Sequence, residues 1–319
     1  MPVSEQTVER GGQRHAAVIV NPTKFPDLGA VERSVTQACL DHGWAAPLWL
    51  ETTADDTGRG QTEQALAEGV DLVCPLGGDG TVRAVAEVLV HTGMPLGLLP
   101  GGTGNLLARN LGLPFTDLDA SLAIALTGHD RTIDVGRVRF DVSGEDHDAR
   151  EQVFLVMAGI GFDAAMMAGA PERLKARVGW LAYAVSGARH LVGPRVKVRI
   201  KADDEPSYTR SVHTVLVGNC GQLTGGLELM PDAEVDDGWL DAVALSPHGV
   251  VGWAAMTVQL LSKRRHPRVE RMRCRELRVA AQRPQEGELD GDTVGQVRAM
   301  RVRVDPGALL VRMPGGGGA

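Results

Sequence analysis

Two glycine-rich turns carry the clearest chemical signal in this chain. Gly77-Gly78-Asp79-Gly80-Thr81 follows an apolar run at 70–76 and opens an amphipathic segment at 82–91. Glycines at such a junction let the backbone approach an anion closely, and a helix start offers free N–H groups and a positive dipole end to phosphate. Asp79 is a poor phosphate neighbour by itself; its carboxylate suits a magnesium ion or a substrate hydroxyl. One strand later, Pro100-Gly101-Gly102-Thr103-Gly104-Asn105 repeats the arrangement, with Thr103 and Asn105 as side-chain donors. Two such turns at the carboxyl ends of adjacent parallel strands make a ligand crevice. Neither turn reads as G-x-x-x-x-G-K-[ST], and neither as G-x-G-x-x-G with an acidic residue downstream. Glycines also collect at tight turns for packing alone; the pairing of the two favours the crevice.

Further carboxylates stand at turn positions. Asp134 lies in Ile133-Asp134-Val135-Gly136, where an aspartate near glycine is also an ordinary turn former. Asp290-Gly291-Asp292 separates two strand-like runs, and Asp-Gly is itself a strong hairpin signal. The acidic stretch 232–237 precedes another strand and reads either as an ion site or as an Asp-rich turn.

The elements that must position these residues fall into two textures. Up to about residue 134 the chain alternates strand and helix: strands at 16–20, 47–51, 70–76 and 95–100, helical segments at 30–43, 62–69, 82–91 and 105–112. Short apolar runs separated by segments of 3.6 periodicity mark βαβ units around a parallel sheet. Beyond it, alternating strands dominate, at 132–140, 151–161, 195–202, 209–219, 239–246, 276–281, 297–304 and 307–314, interrupted by helical patterns at 171–192 and 248–263. The predicted class is therefore α/β: a Rossmann-like parallel-sheet domain over 14–137, rejoined by 300–314, and a strand-rich, β-sandwich-like domain over 138–299. The active site is expected in the cleft between them, with flexible tails at 1–13 and 315–319.

Composition narrows the setting. The 319 residues are 43% hydrophobic and 23% charged, with a net charge of −7. That excludes a disordered or collagen-like chain, and the acidic balance argues against a nucleic-acid partner. The most apolar stretch, 153–170, carries Asp163 and three glycines and is too broken to span a membrane. The opening residues lack a signal-peptide core, so a cytoplasmic location is expected. The 4 cysteines are scattered without metal-site spacing.

Taken in order, Val20-Asn21-Pro22, GGDGT, PGGTGN, IDVG, Gly159-Ile160-Gly161-Phe162-Asp163-Ala164, the 231–241 stretch and Leu289-Asp290-Gly291-Asp292 resemble the diacylglycerol-kinase catalytic superfamily. That superfamily includes sphingosine and ceramide kinases and soluble bacterial lipid kinases, and the resemblance spans about 16–314. It implies ATP between the domains, with Asn21 and Pro22 near the adenine. Gly77, Gly78, Asp79, Gly80, Thr81, Gly101, Gly102, Thr103 and Asn105 would hold the phosphates, and Thr53 (or Thr52) would add a contact. It implies Asp290 as general base, with Asp292 in the same motif and Asp79 and Asp134 completing a water-linked Mg2+ network. It also implies a structural magnesium on the Asp237 side chain and the carbonyls of Glu234 and Trp239.

Three departures from the pattern stand out. Asp292 replaces the usual glutamate, and Asn21-Pro22-Thr23-Lys24-Phe25 lacks a glycine. Val82-Arg83-Ala84 replaces hydrophobe-Asn-Glu, which predicts a lost polar contact on that helix face.

The implied reaction is phosphorylation of diacylglycerol, or of another lipid alcohol such as a sphingoid base, ceramide or phosphatidylglycerol. A non-catalytic nucleotide- or lipid-sensing relative is the rival outside enzymes. The substrate would be met at a membrane surface by a peripheral protein, and the resemblance suggests a homodimer. Helix 171–192 either admits acyl chains or packs as core. The run 263–283, with nine Lys or Arg against two Glu, either docks on anionic lipid or is a solvated strand face.

Overall fold

A computed structural model describes residues 12–142, 150–161, 195–222, 228–246 and 269–315. The expected helices 171–192 and 248–263 lie outside them.

Strand β1 (Ala16–Val20) is buried along its whole length, because it lies between β2 (Leu48–Glu51) and β3 (Leu72–Gly77), both parallel to it. Strands β4 (Pro95–Leu96) and β5 (Leu99–Pro100) extend this sheet in parallel, and three helices cross between strands. They are α1 (Leu28–Asp41), α2 (Arg59–Ala67) and α3 (Asp79–Leu89). The single strand expected at 95–100 is split at Gly97, where a side chain would meet the Cys74 sulfur at 2.7 Å. Two helices follow, α4 (Leu106–Asn110) and α5 (Leu118–Thr127); the second has no counterpart in the sequence reading. Its Asp117 cap accepts from Ala120 N, and its apolar composition carries little 3.6-residue contrast to betray a helix.

The rest is antiparallel. Strand β6 (His129–Asp141) is followed by β7 (Gln152–Phe154), β8 (Met157–Ile160), β9 (Val196–Ala202), β10 (Tyr208–Val212), β11 (Thr214–Gly218), β12 (Leu240–Leu245) and β13 (Val269–Cys274). Two long strands close the chain, β14 (Glu276–Leu289) and β15 (Asp292–Met313).

The runs 297–304 and 307–314 are thus one strand rather than two. β15 pairs antiparallel with β14 and β6, bends at a register shift between Asp305 and Leu309, and ends parallel to β4. It stitches the two textures into one hydrogen-bonded sheet network, while the apolar side chains divide into separate cores. One core gathers Ile19, Val73, Val85 and Leu96 around the parallel strands; another gathers Val198, Val217, Leu277 and Val302 in the β-rich part.

Candidate active site

The first turn is built on steric necessity. A side chain on Gly77 would lie 2.6 Å from the Thr81 hydroxyl, and one on Gly101 would lie 2.6 Å from Gly77 N. The two glycine turns therefore touch backbone to backbone, joined by Gly101 N donating to Gly77 O at 3.1 Å. Helix α3 begins at Asp79, three residues earlier than the periodicity suggests, with Gly78 as its cap. The amides of Asp79 and Gly80 consequently belong to the turn itself, while Thr81 N donates to Gly78 O at 3.0 Å.

Asp79 ties the two turns together: Leu106 N, the first amide of α4, donates to its Oδ1 at 2.6 Å. Burial pushes its carboxyl above the ordinary range, opposed by the Leu106 and Asn105 amides and aided by the charge of Asp292. Asn105 is committed differently from expectation. At φ 47° it is left-handed, and its side chain donates to Gly102 O and Phe115 O, both at 2.8 Å, while accepting from Gly102 N. It shapes the phosphate turn instead of donating from it. Arg109 completes the scaffold by donating to Gly104 O at 2.6 Å, and Thr103 is left exposed at the tip.

Asn21 caps the short helical turn Pro22–Lys24 through Thr23 N. Thr53 closes a tight turn with Asp56. Both sit just past the carboxyl ends of β1 and β2, on the same rim as the glycine turns.

The hairpin between β14 and β15 reaches this rim from the other side. Asp290 (φ 49°) and Gly291 (φ 91°) form its two-residue turn, the left-handed pair that Asp-Gly favours. The Asp290 side chain turns inward and is only 4% exposed. Leu155 N donates to Oδ2 at 3.0 Å; Val156 N and Met157 N donate to Oδ1 at 2.8 and 3.0 Å. One lone pair on Oδ2 remains uncommitted. Burial raises its proton affinity, opposed by Arg83 and the three amides. Asp292 stays open, with its side chain 56% exposed, and its Oδ2 lies 3.4 Å from where a side chain on Gly80 would begin.

Two residues that the sequence reading did not place join the site. Arg83, one helical turn beyond Asp79, donates to Leu289 O at 2.6 Å and to Asp292 Oδ2 at 2.9 Å. The polar contact expected to be lost from that helix face is made by this arginine; its i, i+4 spacing from Asp79 was the available signal. Glu288 is buried, accepts from Gly291 N at 2.9 Å through Oε1, and leaves Oε2 without a partner. Burial lifts its carboxyl to about 7. A charged residue between Gly287 and Leu289 was the only hint.

The water-linked magnesium network expected from Asp79, Asp134 and Asp290 has no cluster of direct ligands behind it. Among the described residues no three His, Cys, Asp or Glu side chains converge as a metal site. The reason is visible at Asp134, whose two oxygens accept from Gly307 N and Gly238 N, both at 2.7 Å. The second expected ion site fits poorly as well. Asp237 accepts from Trp239 N at 2.9 Å and pairs with the Arg273 guanidinium, so its carboxylate is already neutralised. Arg275 lies 4.5 Å over the Trp239 ring. Arg271 and Arg273 of the 263–283 run are likewise turned to the protein, Arg271 donating to Leu229 O.

Two glycine turns on an α/β rim are thus faced by a carboxylate hairpin from a β-rich half. The diacylglycerol kinase catalytic domain matches residues 15–138, and the YegS C-terminal NAD kinase beta sandwich-like domain matches 155–313. A Pseudomonas aeruginosa protein named "Probable lipid kinase YegS-like" is 34% identical over 277 residues, covering 83% of this chain and 84% of that one. A Mycobacterium tuberculosis diacylglycerol kinase is 34% identical over 178 residues, covering 56% and 55%. A crystal structure of a diacylglycerol kinase from Bacillus anthracis shares the fold, with a TM-score of 0.70 at 23% identity over 94% of this chain and 96% of that one. The chain belongs to the YegS-like lipid kinases of the diacylglycerol-kinase catalytic superfamily.

Proposed function

We propose that this protein transfers the γ-phosphoryl group of ATP to the free hydroxyl of a diacylglycerol-type lipid, giving phosphatidic acid and ADP. The observation that carries the reading is Asp292 beside Gly80: a hairpin from the β-rich half brings a carboxylate to the first glycine turn. Amides at the start of α3 and in the Gly101–Gly104 turn hold the phosphate oxygens. Asp290 accepts the lipid hydroxyl proton through its uncommitted Oδ2 lone pair, as the lipid oxygen bonds to phosphorus and the bond to the ADP oxygen breaks. Three amides fix its direction, and burial gives it the proton affinity a base requires.

Arg83 holds Asp292 at the mouth of the site. Asp79 and Asp292, whose charges repel across the turn, would hold magnesium brought in with the nucleotide. Its contribution there is neutralisation of phosphate charge. The names of the M. tuberculosis and B. anthracis relatives support diacylglycerol as the acceptor. The test is labelled phosphate transfer from ATP to lipids in mixed micelles, with the product identified by mass. Label in phosphatidic acid is the expected result. Label only in another lipid alcohol, or only in NAD, would overturn the assignment of substrate.

A further inference from the structure

The outer face of the β-rich half carries a row of cations that the fold does not require. Lys201 on β9, Arg278 on β14, Arg301 on β15 and Arg139 on β6 stand directly opposite one another on four consecutive strands. Like charges in register across strands are destabilising, and the inward side chains, such as Ile200, Val279 and Met300, already form the core. Glu276 neutralises the middle of the row, reaching Arg278 at 2.6 Å and Arg301 at 3.0 Å, and Glu151 meets Arg139 at 3.5 Å. The β9 end is different. Lys197, Arg199 and Lys201 alternate with buried Val196, Val198 and Ile200, are exposed, and pair with no carboxylate among the described residues.

β9 lies between β10 and β14, so these cations do not guard a sheet edge. The neighbouring row, Arg199, Ala280, Ala299 and buried Asp141, is low in side-chain bulk. The result is a cationic face on a chain whose net charge is −7.

We infer that this face, centred on Lys197, Arg199 and Lys201, docks the protein on an anionic lipid bilayer. The charge is concentrated against the sign of the whole molecule, and its spread along the outer side of β9 and across the neighbouring strands matches an extended negative surface better than a single ligand. The inference rests on the lipid-kinase reading above and moves the contact away from Arg271 and Arg273, which are bound up with Leu229 and Asp237.

Flotation with phosphatidylglycerol–phosphatidylcholine vesicles, beside pure phosphatidylcholine vesicles, tests it. The wild type should float only with the anionic vesicles and be released by salt. A Lys197→Gln, Arg199→Gln, Lys201→Gln variant should partition roughly a hundredfold less, while its turnover of lipid in nonionic micelles stays unchanged. A Lys197→Arg, Lys201→Arg variant should partition as the wild type does. Undiminished flotation of the neutralised variant would overturn the inference, as would wild-type binding indifferent to lipid charge. Capture of the wild type by RNA or an acidic protein without vesicle binding would also overturn it. If micelle turnover is absent in the wild type but the vesicle effect holds, the kinase reading fails and the docking face stands.

Discussion

Asp290 and Glu288 are two residues apart, both buried, and placed in opposite circumstances. Asp290 has three amides to stabilise its charge; Glu288 has one, and an oxygen with none. Glu288 therefore holds its proton to about 7 instead of the ordinary 4.5. A carboxyl that binds its proton more tightly when folded stabilises the fold at low pH. That contribution is complete below pH 4.5 and is lost as the pH rises through about 7. The span corresponds to ~3 kcal/mol. Melting temperature recorded from pH 5 to 8 should fall for the wild type and stay flatter for Glu288→Gln, which cannot ionise. Parallel curves would place the buried charge elsewhere.

At the scale of elements, the decisive contact is glycine on glycine. A methyl group at Gly101 would lie 2.6 Å from Gly77 N and 2.8 Å from its Cα, and backbone cannot swing aside as a side chain can. Gly101→Ala should keep the fold while separating the turns, lowering kcat/KM for ATP on the order of a hundredfold. Circular dichroism and steady-state kinetics check both halves of that statement. Arg83 and Asp292 form the other contact between elements. Because Asp292 is more than half exposed, a double-mutant cycle with Arg83→Leu and Asp292→Asn should give a coupling of only ~0.2–1 kcal/mol in stability.

These elements were legible to different degrees. The strands and helices around GGDGT and PGGTGN declare themselves because period and glycine position agree; the boundaries shift where a cap such as Gly78 is read off backbone geometry, and the 95–100 strand is split at Gly97 by its packing on Cys74. What one sequence does not reveal is the direction of a side chain. Asn105 has the chemistry of a phosphate donor and spends it on its own loop; Asp134 has the chemistry of a metal ligand and spends it on Gly238 and Gly307. Both outcomes depend on segments over a hundred residues away or on a left-handed φ, neither of which leaves a local pattern.

The whole molecule is joined by β6 and β15, each of which runs through both textures of the chain. β15 is hydrogen-bonded to strands of both textures, and one apolar cluster packs Val73 and Leu96 of the parallel strands with Leu155, Met157 and Cys220 of the β-rich part. Urea unfolding followed by tryptophan fluorescence and by circular dichroism should therefore give coincident single transitions; two separated transitions would mean the halves fold independently. The same joining strand brings Asp292 beside Gly80 and carries the hairpin that holds Asp290 on the Leu155–Met157 amides, so the proposed catalysis belongs to this scale too. Its most direct test is lipid-dependent ADP release by wild type, Asp290→Asn and Asp292→Asn, each verified as folded by its melting curve. Loss of about 10²–10⁴-fold in kcat for Asp290→Asn, with a smaller loss for Asp292→Asn, is the predicted result. Wild-type turnover by a folded Asp290→Asn variant would contradict Asp290 as the proton acceptor.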